Sequence, residues 1–133
     1  MAAPGFINAS LSVAAGGAFG SWARYATGVA IGRMGGVGAQ FPWSTLAVNV
    51  VGSLAMGLLA GWLARHGTGG EAWRLLLGVG VLGGFTTFSA FSLELALMIE
   101  RGALISGAAY AGISLIAGVG ALFAGLAVMR TFA

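Results

Sequence analysis

Polar residues are sparse along this chain, and the apolar runs between them are long. Reading those runs between their polar breaks predicts helices at 6–31, 44–63, 73–99 and 103–129. Each has the roughly 20 residues that a helix needs to cross a hydrocarbon layer about 30 Å thick. The connections are short, at 32–42, at 64–72 and in a tight turn at Glu100, Arg101 and Gly102. Trp22, Trp43, Trp62 and Trp73 are read as marks of span ends, because amphipathic rings settle where membrane meets water. The pattern predicts an all-α integral membrane protein, a single transmembrane domain over residues 1–133 with four transmembrane helices per subunit.

Composition agrees with that pattern. Hydrophobic residues make up 59% of the chain and charged residues 7%, against roughly 25% charged in an ordinary soluble domain. Glycine is frequent, at 25 positions, and Gly16/Gly20, Gly28/Gly32, Gly57/Gly61 and Gly80/Gly84 are each spaced by four. Small residues at that spacing let helix backbones approach where lipid gives no hydrophobic drive to association. The first apolar segment follows no basic stretch and is too long for a signal peptide, so it is read as a first span.

The six basic residues are arginines placed singly, unlike the clustered stripe of a nucleic-acid binder, so no nucleic-acid partner is expected. Cysteine is absent and His66 has no second histidine, so neither thiolate chemistry nor a histidine metal set is available. No nucleophile and base pair stands out, and an enzyme is not expected. For a four-span chain, Arg65, Arg74 and Arg130 fall on the side of the termini and Arg24, Arg33 and Arg101 towards the other. Positive charge on one face normally fixes orientation, and here it is balanced. A chain without a preferred orientation can insert both ways, and opposed copies can pair about a twofold axis in the membrane plane.

Polar groups inside the spans carry the chemistry, since each needs a partner or a wet cavity there. On the second helix Thr45, Asn49 and Ser53 recur every four residues and so share a face. The Asn49 amide is either a donor aimed at something polar or a bond that ties helices together. The third span is interrupted at 83–92 by two glycines and four hydroxyls, through which a regular helix is not expected. Broken helices at membrane depth line cavities and free carbonyls that coordinate cations, although hydroxyls that bond back to their own helix are the plainer alternative. Phe88 and Phe91 share a face, with Glu94 three residues further on. Tyr110 and Ser114 on the fourth helix are four apart, and Gly118 continues that face without a side chain. Glu94 is the carboxylate deepest in a span and Arg24 the cation, the latter well placed to snorkel.

The segments Gly16-Gly17-Ala18-Phe19-Gly20 through Arg24-Tyr25, Thr45-Leu46-Ala47-Val48-Asn49-Val50-Val51-Gly52, and Gly83-Gly84-Phe85-Thr86-Thr87-Phe88-Ser89-Ala90-Phe91 resemble the Fluc (CrcB) family of fluoride channels. The resemblance runs the length of the chain. It implies a passive channel, selective for fluoride, that exports the ion from the cytoplasm across the cell (inner or plasma) membrane. It further implies an antiparallel, dual-topology homodimer with a broken third helix, two pores and a structural sodium ion at the dimer interface. Carried over by position, Asn49 donates to the ion, Phe88 and Phe91 turn ring edges to it, and Tyr110 and Ser114 continue a polar track. Thr45 and Glu94 match positions near the pore and Arg24 a basic position towards one vestibule. Backbone carbonyls of Gly83 and Thr86 face the sodium. Where some members of the family have a serine in the track this chain has Gly118, so the last part of the track is expected to rely on water or backbone. The competing expectation is a small dual-topology exporter of organic cations. Such proteins couple protons through an acidic residue in the first helix, and since this first helix has none, Glu94 would have to serve.

Overall fold

A computed structural model describes residues 5–34 and 40–131, with the side chains at 68 and 69 excepted, and every regular element in them is helical. The first helix is Phe6–Arg33 and the second Trp43–His66. The third span begins after a 3₁₀ turn, Gly67–Gly70, and is composite. One α turn, Glu71–Trp73, leads into a π-helical stretch, Arg74–Leu82, followed by a second α turn, Gly83–Phe85. Beyond two extended residues a regular helix, Phe88–Glu100, completes the span. The fourth helix is Leu104–Thr131. Residues 35–39 of the expected connection at 32–42 lie outside the described residues.

Three of these helical stretches, Trp43–His66, Glu71–Glu100 and Leu104–Thr131, are long and apolar enough to cross a membrane. At 28 residues the first helix is also long, but Asn8, Ser10, Ser12, Ser21, Arg24 and Thr27 lower its apolar character. Trp43, Trp62 and Trp73 do fall near helix ends, whereas Trp22 lies well inside the first helix. The tight turn into the fourth helix is a Schellman closure. Gly102 adopts a φ of 74°, Ala103 N–H donates to the Met98 carbonyl at 2.9 Å, and Gly102 N–H donates to Ile99 at 2.9 Å.

Glycine decides which helices touch. Gly16 and Gly20 lie against the π-helical stretch so closely that a Cβ on either would strike the Leu76 or Val81 carbonyl, and Gly84 meets the Gly17 backbone in the same way. The π stretch widens the third span here, with Gly83 N–H reaching back five residues to Gly78. On the other side of the bundle the second helix packs on the fourth. A Cβ on Gly57 would strike the Leu122 carbonyl, and one on Gly125 the Leu54 carbonyl. Three of the four spaced glycine pairs are thus packing contacts, while a Cβ on Gly28 or Gly32 would meet nothing within 4 Å among the described residues. The interior that results is thin, with Val48, Met98 and Tyr110 its buried hydrophobic residues. Polar side chains of the second helix therefore reach the third and fourth spans directly.

Candidate functional site

The break in the third span occupies only Thr86 and Thr87, narrower than the 83–92 stretch expected to be irregular. Both are extended, at φ −81°, ψ 157° and φ −151°, ψ 120°. The second helix supports this break through one side chain. Thr87 N–H donates to Asn49 Oδ1 at 2.8 Å, and Asn49 Nδ2 donates to the Thr87 carbonyl at 3.0 Å. An asparagine amide thereby pairs with the peptide as a neighbouring strand would, satisfying backbone groups that lipid cannot. Thr87 Oγ1 also accepts from Ala90 N–H at 3.1 Å and so caps the helix that follows.

These bonds release carbonyls. In an unbroken helix Thr87 N–H would donate to Gly83 and Ala90 N–H to Thr86, four residues back. Asn49 and the Thr87 hydroxyl take those donors instead. The Gly83 and Thr86 carbonyls consequently lose their helical donors, and Gly83 is exposed on the subunit surface.

Beside the break is a cavity of about 280 Å³, lined by Asn49, Ser53, Thr86, Thr87 and Phe88 among others. Phe88 is 79% exposed, so this cavity lies at the outer face of the single subunit. Phe91 stands next to Phe88 at 5.8 Å between ring centroids and reaches Tyr110 at 5.1 Å. An aromatic row thus connects the cavity to the interior.

At the far end of that row Glu94 is clasped by two hydroxyls. Thr45 Oγ1 donates to Oε1 at 2.6 Å and the Tyr110 hydroxyl to Oε2 at 2.7 Å. Three helices meet there, and Tyr110 is fully buried. Phe41 presses edge-on against Tyr110 at 5.4 Å and 77°. A second cavity, of about 210 Å³, lies on the other side of Glu94, between Phe41, Met98 and Arg101. Thr45, Asn49, Phe88, Phe91, Glu94 and Tyr110 are therefore brought together in one continuous strip.

Two sequence-predicted residues stand apart from the strip's bonds. Ser114 Oγ and Arg24 Nε are both buried with no hydrogen-bond partner among the described residues. Arg24 is half-buried, with its Nε covered. Phe41 precedes the second helix, in a stretch whose sequence has no periodicity to mark it. Thr87 was visible as one hydroxyl among several, but nothing in its spacing marks its peptide as the partner of Asn49.

Residues 11–126 match the family described as CrcB-like protein, Camphor Resistance (CrcB). The chain is 57% identical over 124 residues to the fluoride-specific ion channel FluC of Novosphingobium aromaticivorans, covering 93% of this chain and 98% of that protein. It is 54% identical over 121 residues to the fluoride-specific ion channel FluC of Rhodospirillum centenum, covering 91% and 94%. A protein of the same description from Caulobacter vibrioides is 55% identical over 125 residues, covering 93% and 97%.

Proposed function

Because this chain belongs to the CrcB family, in which the curated relatives are ion channels and not enzymes, we propose that it is a passive, fluoride-selective channel of the cell membrane. Its role is to let fluoride leave the cytoplasm and so lower its toxicity. The observation that carries this reading is the cavity where the Asn49 amide and the exposed Phe88 ring meet. Fluoride is small and strongly hydrated, so a pore must replace its water with donors that hold the ion without trapping it. Asn49 spends one N–H on the Thr87 carbonyl, and its amide has a second to offer. Phe88 and Phe91 present rings whose positive edges attract an anion while the apolar faces exclude water. Tyr110 and Ser114 continue the route along the fourth helix, with Thr45 and Glu94 at its inner end and Arg24 lending positive charge towards one vestibule.

A cavity with polar walls at the outer face of a subunit is costly in lipid, and a second copy offers cover. The balance of arginines supports two opposed orientations. The working unit is accordingly an antiparallel, dual-topology homodimer with two pores. Single cysteines introduced into the turns test this. Labelling of each site from both sides of the membrane is the expected result, and labelling of every copy from one side refutes it.

Sodium at the dimer interface fits the residues present. The Gly83 and Thr86 carbonyls lack their helical donors, and neutral oxygens of this kind suit a hard monovalent cation. No cluster of three or more His, Cys, Asp or Glu exists among the described residues to favour a transition metal. Bound there, the ion would supply positive charge that holds two opposed breaks together. This chain's own contribution is the release of the carbonyls by Asn49 and Thr87.

The test is fluoride efflux from liposomes holding the purified protein, followed with a fluoride electrode beside a chloride control. Rapid loss of fluoride with chloride retained is expected. Retention of both ions refutes the channel. Asn49→Ala or Phe88→Ile is expected to stop fluoride in a protein that still folds, and normal flux in both refutes the pore assignment. The exporter reading rested on Glu94 as its coupling carboxylate, and membership of this family leaves it without support.

A further inference from the structure

Helical hydroxyls in an apolar medium have a default partner, the carbonyl four residues back. Thr27 bonds in this way to Ala23, Thr86 to Leu82, Ser92 to Phe88 and Thr131 to Ala127, at 2.8–2.9 Å. Ser53 does not. Among the described residues its Oγ has no hydrogen-bond partner, although the Asn49 carbonyl lies four residues behind it on the same helix. It lines instead the cavity that holds Asn49 and Phe88.

Directly across from Ser53 is Gly118. A Cβ built on that glycine would lie 3.7 Å from Ser53 Oγ, in ordinary van der Waals contact. The fourth helix, with Tyr110 and Ser114 at four-residue spacing, therefore offers no hydroxyl at its next turn, and the second helix places one opposite that point. Thr45, Asn49 and Ser53 rise one turn at a time along the second helix, so the Ser53 oxygen continues the face that carries Asn49.

We infer that Ser53 is an ion-contacting residue, whose hydroxyl crosses from the second helix to supply the donor that Gly118 does not. This rests on the channel reading above. It adds a residue to the pathway and assigns the role to a side chain, where water or backbone would otherwise have to serve.

The test uses full-length protein in liposomes, with fluoride efflux as readout and elution as a folded dimer as control. Ser53→Ala removes one oxygen beside a cavity, and loss of a hydrogen bond to a charged ion predicts a roughly tenfold slower efflux. Gly118→Ser on its own gives the reference rate against which the double variant is read; a Cβ fits there at ordinary contact distance and serine suits a helix better than glycine. The decisive variant joins both changes. Ser53→Ala with Gly118→Ser returns a hydroxyl to the same volume from the opposite helix, and recovery of most of that reference rate is expected. Wild-type efflux by Ser53→Ala overturns the inference, as does a slow Ser53→Ala that the second change does not restore, which would make the loss one of packing. Absence of fluoride efflux from the unmodified protein is a separate result. It would refute the channel itself, and the inference with it.

Discussion

Asn49 holds the Thr87 peptide from both sides, accepting its N–H at 2.8 Å and donating to its carbonyl at 3.0 Å. One side chain thus both stabilises a break in a membrane helix and faces the cavity beside it. Removing it should disturb structure and transport together. Asn49→Ala leaves two backbone groups without partners, a loss of about 2–4 kcal/mol. Thermal unfolding in detergent should show a clearly lower midpoint, together with lost fluoride flux. An unchanged midpoint would mean that water replaces the amide and that Asn49 serves the ion alone.

Glu94 gives a prediction with a definite order. Thr45 is 6% exposed and Tyr110 fully buried, and both donate to this carboxyl. Glu94→Leu strands two buried hydroxyls and should destabilise the fold by about 2–4 kcal/mol. Glu94→Gln keeps an acceptor for one hydroxyl and gives the other a donor to accept, so it should lose about 1 kcal/mol or less. Unfolding midpoints for the two variants in the reverse order would show that burying the amide there costs more than leaving the two hydroxyls unpaired.

Glycines can be separated by what surrounds them. Gly20→Ala drives a methyl group into the Val81 carbonyl and Gly125→Ala into that of Leu54, and backbone cannot rotate aside. Overpacking of this kind costs about 1–3 kcal/mol or more. Gly120 has nothing near its missing Cβ, and Gly120→Ala should be neutral or gain up to about 1 kcal/mol from helix propensity. Equal melting temperatures for all three variants would contradict the packing described.

On the proposed antiparallel pairing with sodium at its interface, sodium should raise the unfolding temperature relative to a large organic cation at equal ionic strength. A ligand at 100 times its dissociation constant stabilises by about 2.7 kcal/mol. Thr86→Val keeps its carbonyl and should keep the effect. Thr87→Ala loses the cap on Ala90, worth about 1 kcal/mol, and lets that N–H return towards Thr86, so its sodium response should shrink. Equal responses in Thr87→Ala and the unmodified protein would show that the cap does not govern the carbonyls.

Much of this protein is legible in its sequence because a bilayer constrains so heavily. Long apolar runs located the second, third and fourth helical spans to within a few residues, as lipid tolerates no unpaired backbone. The first was found equally well as a helix, yet its polar residues keep it below the hydropathy of the others. Four-residue spacing put Thr45, Asn49 and Ser53 on one face, and the glycines and hydroxyls at 83–92 announced a break. Local periodicity determines those features, and they need no partner to be visible.

What periodicity does not contain is who meets whom. That Asn49 would take the Thr87 peptide, that Thr45 and Tyr110 would share one carboxyl, and that Ser53 would face Gly118 are relations between residues 38, 49, 16 and 65 positions apart. They follow from how closely Gly57 and Gly125 let the second and fourth helices approach, and from the π-helical turn that fits the third span to the first. Sequence fixed the faces through the repeat of a single helix. Only tertiary packing, by choosing the distance and rotation between helices, decided which faces meet and so where donors, rings and carbonyls converge.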